Sequence, residues 1–141
     1  MSHDPLDTVL RLRRRAVDDC VVSLAAAIAS ATGAASVTRA AERSVVAETE
    51  LASASDGDDS LVEAFAAWLP GAHQRITQAR ADQDRAEAEV SRCRAGLTAC
   101  RTALESIEAL RDQRRATLEA ARAAAEQRAL DDRAGTPPDR L

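Results

Sequence analysis

Two heptad-spaced apolar stripes, separated by a single turn signal, constrain this chain more than any other feature. In the first stretch Leu6, Leu10, Val17, Leu24, Ala31, Thr38, Val45 and Ala52 keep one register, with Cys20, Val21, Ile28 and Ala35 on the same side. In the second, Ile76, Ala79, Gln83, Ala86, Val90, Cys93, Leu97, Cys100, Leu104 and Ile107 recur every three or four residues. That is the period that winds one helix against another. Between the stripes lies SASDGDDS, where Asp56-Gly57-Asp58 has turn composition because Gly accepts positive φ and Asp bonds its own local backbone. Two stripes leaving one turn in opposite directions predict an all-α fold, an antiparallel two-helix coiled-coil hairpin.

Composition agrees with a rod and not with a layered globule. Of 141 residues, one is Phe, one is Trp and none is Tyr, and the 45% apolar share is mostly Ala. Such a chain has little bulky side chain for a deep core, and its Ala, Arg, Glu and Leu content is that of a coiled coil. All 19 basic residues are Arg, which reads as coding bias of a GC-rich genome.

Local punctuation sets the boundaries. Asp4 can cap the orphan amides of a helix opening at Pro5, so an N-terminal tail over residues 1–4 precedes a first long helix over 5–55. A turn over 56–60 follows, and Ser60 three residues before Glu63 suggests a capping box for the next helix. The second helical arm is expected over 61–134, with a kink or break near 69–71 because proline removes an amide donor and clashes with the preceding turn. Gly135, Pro137 and Pro138 then predict a disordered tail over 135–141.

If the turn is centred near Gly57, facing position numbers sum to about 114, which pairs Leu10 with Leu104, Val17 with Leu97 and Leu24 with Val90. The alanine-rich middle leaves a thin seam there, at about 0.8 kcal/mol per missing methylene. On the same count the first helix ends opposite Ala109, so Leu110 to Arg133 projects by roughly 36 Å as a single helix. Its stripe is frayed, with Arg111, Arg114, Ala121, Ala125 and Arg128 in the seam places and only Leu118 large. A lone helix carrying Leu110, Leu118 and Leu130 calls for another protein. At the opposite end, Leu61, Val62, Phe65, Trp68 and Leu69 form an apolar face, whose aromatics either clamp the hairpin tip against Val45, Val46 and Leu51 or meet a partner.

Charge and hydropathy narrow the partners. Net charge is −4, and the arginines are interspersed with acids, whereas nucleic-acid binding needs a clustered positive face. The short run Arg11, Arg13, Arg14, Arg15 is flanked by Asp4, Asp7, Asp18 and Asp19, as at a solvated helix end or a docking patch for an acidic partner. No stretch approaches the roughly 20 apolar residues of a membrane span on this reading, and MSHDPLD lacks the halves of a signal peptide. The expectation is a cytoplasmic chain with reduced cysteines, associated with a membrane face only through partners.

No catalytic, cofactor or metal site is expected. Cys93 and Cys100 stand one heptad apart, about 10 Å, too far to share a zinc ion. Cys20, Cys93 and Cys100 read as small seam residues, with a redox clip between Cys20 and Cys93 as the alternative. His3 and His73 have no companion at ligand spacing, and the acidic turn lacks the terminal bidentate Glu of a calcium loop. Paired carboxylates such as Glu87 and Glu89, or Asp131 and Asp132, sit on helix surfaces with nothing to desolvate them. The chain is therefore read as no enzyme, with no cofactor.

Both ends resemble one family. Pro5-Leu6-x-x-Val9-Leu10-x-Leu12-Arg13 is similar to the opening of the FliJ family of flagellar type III export proteins. Leu110-x-x-x-Arg114-Arg115, followed by Glu126-Gln127-Arg128-x-Leu130-Asp131-Asp132-x-Ala134, is similar to its closing signature. The resemblance covers about a third of the chain, and residues 30–95 match only as coiled coil. It implies a stalk whose terminal end enters the ring of a hexameric export ATPase, and which also contacts the export gate membrane protein and export chaperones. Carried over by position, the ring-facing residues are Leu6, Leu10, Arg13 and Arg14 on the first helix and Arg114, Arg115, Leu118, Glu126, Gln127 and Leu130 on the second. Pro70-Gly71 and the alanine-rich middle depart from the family pattern. The rival reading is a prefoldin-like or adaptor hairpin that holds clients at a tip made by Phe65, Trp68 and Leu69.

Overall fold

The computed structural model describes residues 4–135 and Pro137. Most of the expected tails, residues 1–3, 136 and 138–141, and with them His3, lie outside the described residues. Two helices account for the rest: α1, Pro5–Ala54, and α2, Asp59–Ala134. They pack on each other as an all-α helical hairpin. Asp4 caps α1, its carboxylate accepting from the Leu6 amide at 3.0 Å. Gly57 takes φ +80° in the turn, where an L side chain would be strained.

The cap of α2 is Asp58 and not Ser60. Asp58 Oδ1 accepts from the Ser60 amide at 3.1 Å and from the Ser60 hydroxyl at 2.6 Å. An acid placed one residue before the helix reaches its orphan amides directly, and Ser60, already inside the first turn, acts as donor to it. Pro70 lies inside α2, which continues through it without a break.

The chain clusters into two compact units, Met1–Val17 with Cys100–Leu141, and Asp18–Ala99. In the second unit the seam is small and mixed: Ala27, Ala72, Ile76, Ala79, Val90 and Leu97 are buried, together with Thr38. The Thr38 hydroxyl donates to the Ala34 carbonyl at 3.2 Å, so its polar atom is satisfied within the helix. Val21 and Ile28, placed beside the stripe by sequence, are exposed, and Ala27 and half-buried Ala34 hold the seam instead. No large side chain is fully buried among the described residues.

In the first unit Leu6 and Leu10 are buried, and Leu104, Ile107, Glu108 and Arg111 on α2 are half-buried. From Asp112 to Ala134 every residue of α2 is exposed. This stretch holds its helix without tertiary burial. Ala120, Ala121, Ala123, Ala124 and Ala125 supply high intrinsic propensity, and local pairs such as Gln127 to Asp131, 2.8 Å, add to it.

The register differs from the expected one. Arg14 meets Glu108 at 3.5 Å in the first unit, and Arg80 meets Glu42 at 2.7 Å in the second. Both pairs sum to 122, not about 114. Two physical effects account for this. Side chains lean toward the N-terminus of their own helix, so α1 side chains lean away from the turn and α2 side chains toward it. A touching pair therefore has a larger position sum than a level pair. Moreover, Glu42 is 12 residues from the end of α1 at position 54, while Arg80 is 21 residues from the start of α2 at position 59. The longer path contains Pro70-Gly71, where a helix can depart from a straight course.

The hydropathy expectation also needs correction. α1 contains an 18-residue window of mean hydropathy 1.8 with at most two charges, long and apolar enough by composition to cross a membrane. Residues Cys20 to Thr38 have no charge at all, because alanine, valine and small polar residues fill them. We read this as exposed helix surface and not a span. The α2 segment that packs on it carries Glu87, Glu89, Arg92 and Arg94, each costly to place in hydrocarbon.

Candidate partner-binding site

Heptad packing positions the first candidate surface by leaving it out. From Asp112 to Ala134, α2 is exposed at every residue. Leu118 is 60% exposed and Leu130 57%. A shallow groove of about 430 Å³ runs along Leu110, Gln113, Arg114, Thr117 and Leu118. Arg114 and Arg115 make no ion pair or hydrogen bond among the described residues, so their guanidiniums are free to meet an anionic partner. Glu126 and Gln127 lie further along the same exposed helix, with Gln127 donating to Asp131. Along this surface cations, anions and leucines alternate.

Of the ten ring-facing positions, eight are solvent-facing: Arg13, Arg14, Arg114, Arg115, Leu118, Glu126, Gln127 and Leu130. Leu6 and Leu10 are not. They are 7% and 3% exposed, so they hold α1 onto α2 and present no side chain to a partner. Arg14 is also engaged, through Glu108.

The tip is a second surface. Phe65 and Trp68 stand 6.0 Å apart, tilted by 36°, and the Arg75 guanidinium lies 5.7 Å from the Trp68 ring centroid. That cation–π contact joins positions seven apart, two turns along one face, and was legible only as that spacing. The rings border a groove of about 410 Å³ completed by Glu48, Leu51, Ala52, Leu61 and Ala64. Leu51 is therefore at the tip as expected, Val45 and Val46 are not in this lining, and Leu69 is half-buried outside it. Leu61, on the apolar face expected from the sequence, is in the lining, whereas Glu48 was not foreseen, because an exposed acid on the first helix carries no apolar signal.

Cys20, Cys93 and Cys100 lie at half-buried seam places, with no disulfide between them. Desolvation, then the charge of Glu89, pushes the Cys93 thiol above its ordinary 9.0, and its Sγ stands 3.6 Å from Glu89 Oε1. Such a thiol is a poor nucleophile at neutral pH.

No curated protein and no solved structure matches the chain closely enough to show kinship. The family model described as flagellar FliJ protein matches residues 1–136, which takes in α1, the turn, and α2 with its unpaired end. With nearly its whole length covered, the chain belongs to the FliJ family of flagellar export components.

Proposed function

We propose that this chain is the non-enzymatic coiled-coil stalk of the flagellar type III protein export apparatus, and that the unpaired end of α2 engages the ring of the hexameric export ATPase. The observation that supports this reading best is the unbroken exposure of α2 from Asp112 to Ala134. Helices in proteins draw most of their stability from tertiary packing, which this stretch lacks in the chain itself and would gain from a partner. A tip that alternates Arg, Glu and Leu makes unequal contacts with six nominally equal subunits and so biases the ring between states by differential affinity. The remaining length of the hairpin would link the ring to the export gate membrane protein and to export chaperones. On this reading the protein is cytoplasmic and reaches the inner membrane face only through those partners.

The open groove beside Trp68 favours a second reading, an adaptor or prefoldin-like hairpin that holds clients at its tip. Pull-down with the export ATPase separates the two. The stalk reading predicts that a chain ending at Arg111 loses the ATPase and Trp68→Ala keeps it, and the adaptor reading predicts the reverse.

A further inference from the structure

The outward face of α1 in the second unit is made mostly of small residues and is exposed along its length. Opposite the seam, at helical spacing, run Asp18, Val22, Ala25, Ala29, Gly33, Ser36, Ala40 and Arg43, all exposed. Val22 is 69% exposed. Between its two ends this face has no charge, an acid closes one end, and a base closes the other. Among the described residues neither Asp18 nor Arg43 has an ion-pair partner. At Gly33 an added Cβ would meet nothing within 4 Å, so the chain's own packing does not require glycine there.

We propose that this face is an isologous docking surface for a second copy of the same chain, with the two α1 helices antiparallel. Charge complementarity selects that occupant. In antiparallel self-pairing, Asp18 meets Arg43 of the second copy and, by the two-fold, Arg43 meets its Asp18. The same register sets Val22 against Ala40, Ala25 against Ser36, and Ala29 against Gly33, so the smallest side chains meet at the centre and the backbones approach closely. A parallel pair would put Asp18 beside Asp18 and Arg43 beside Arg43, which like-charge repulsion disfavours. An isologous patch closes on itself, giving a dimer and not a filament. A patch of one helix face lies at the low end of interface size, so the association is weak and concentration-dependent.

Sedimentation of the full chain over a rising concentration series tests this. The expected result is a mass that climbs from monomer toward dimer. Ala29→Arg, which places bulk and like charge at the centre, lowers the association constant by about tenfold or more, with helicity by circular dichroism unchanged. Asp18→Arg and Arg43→Asp each weaken self-association when alone, and an equimolar mixture of the two restores it, because each then supplies the charge the other lacks. A monomer mass at all concentrations overturns the proposal. So does a dimer that Ala29→Arg leaves intact, or a mixture of the charge-reversed chains no better than either alone. Flotation of the face with phosphatidylglycerol vesicles, abolished by Ala29→Arg, would assign it to a lipid surface and equally overturn it.

Discussion

The guanidinium of Arg80 lies 2.7 Å from the carboxylate of Glu42, 38 positions away in the chain. With the Arg14 to Glu108 contact at 3.5 Å, it sets the register of the hairpin. Both pairs are largely solvent-facing, so they specify which residues meet more than they hold the helices together. A double-mutant cycle with Glu42→Gln and Arg80→Gln should give a coupling of about 0.2–1 kcal/mol at low salt, shrinking at high salt as screening grows.

Leucines on the two sides of the hairpin's lower end should behave oppositely. Leu10, nearly fully buried, should cost about 2–4 kcal/mol when replaced by Ala. Leu118→Ala should leave stability within about 0.5 kcal/mol and weaken partner binding instead. Thermal melts alongside ATPase pull-downs read both effects in one pair of samples.

Pro70 occupies a helix interior where it can donate no amide hydrogen bond. Pro70→Ala should stabilise the chain by about 1–3 kcal/mol, seen as a higher Tm. A lower Tm would mean that the longer path of α2 between the turn and Arg80 depends on a proline bend.

The cap at Asp58 should be acid-sensitive. The Ser60 hydroxyl, foremost, and the Ser60 and Leu61 amides hold its carboxyl below the ordinary 3.8. A carboxyl whose folded value is depressed contributes stability that is fully present above its unfolded value and lost as pH falls through its folded one. Amides at the start of α2 should therefore be protected, relative to their intrinsic exchange rate, at neutral pH and lose that protection as pH falls below 3.8. Asp58→Asn should keep the cap geometry and remove this pH dependence.

Much of this architecture was legible in the sequence because coiled-coil packing is written in spacing. Each stripe position from Ile76 to Ile107 is buried or half-buried, as are Leu6, Leu10, Val17, Leu24, Ala31, Thr38, Val45 and Ala52. Register was harder. It depends on the lean of side chains and on how α2 runs past Pro70, and neither is a property of the stripe itself. Counting from the turn therefore put Leu104 opposite Leu10, although the observed ion pairs displace the arms by eight positions. Charge-free Cys20 to Thr38 was passed over because its alanines and serines do not look apolar one at a time, while their summed hydropathy is high. At the lower end, the family pattern marked Leu6 and Leu10 by position, but only packing distinguishes a buried leucine from one free for a partner.

The central claim is that the unpaired end of α2 acts on the export ATPase, and ATP hydrolysis by the purified ATPase measures it most directly. Full-length chain should stimulate hydrolysis, while a chain ending at Arg111, with its helicity checked by circular dichroism, should not. Equal stimulation by both would contradict the account.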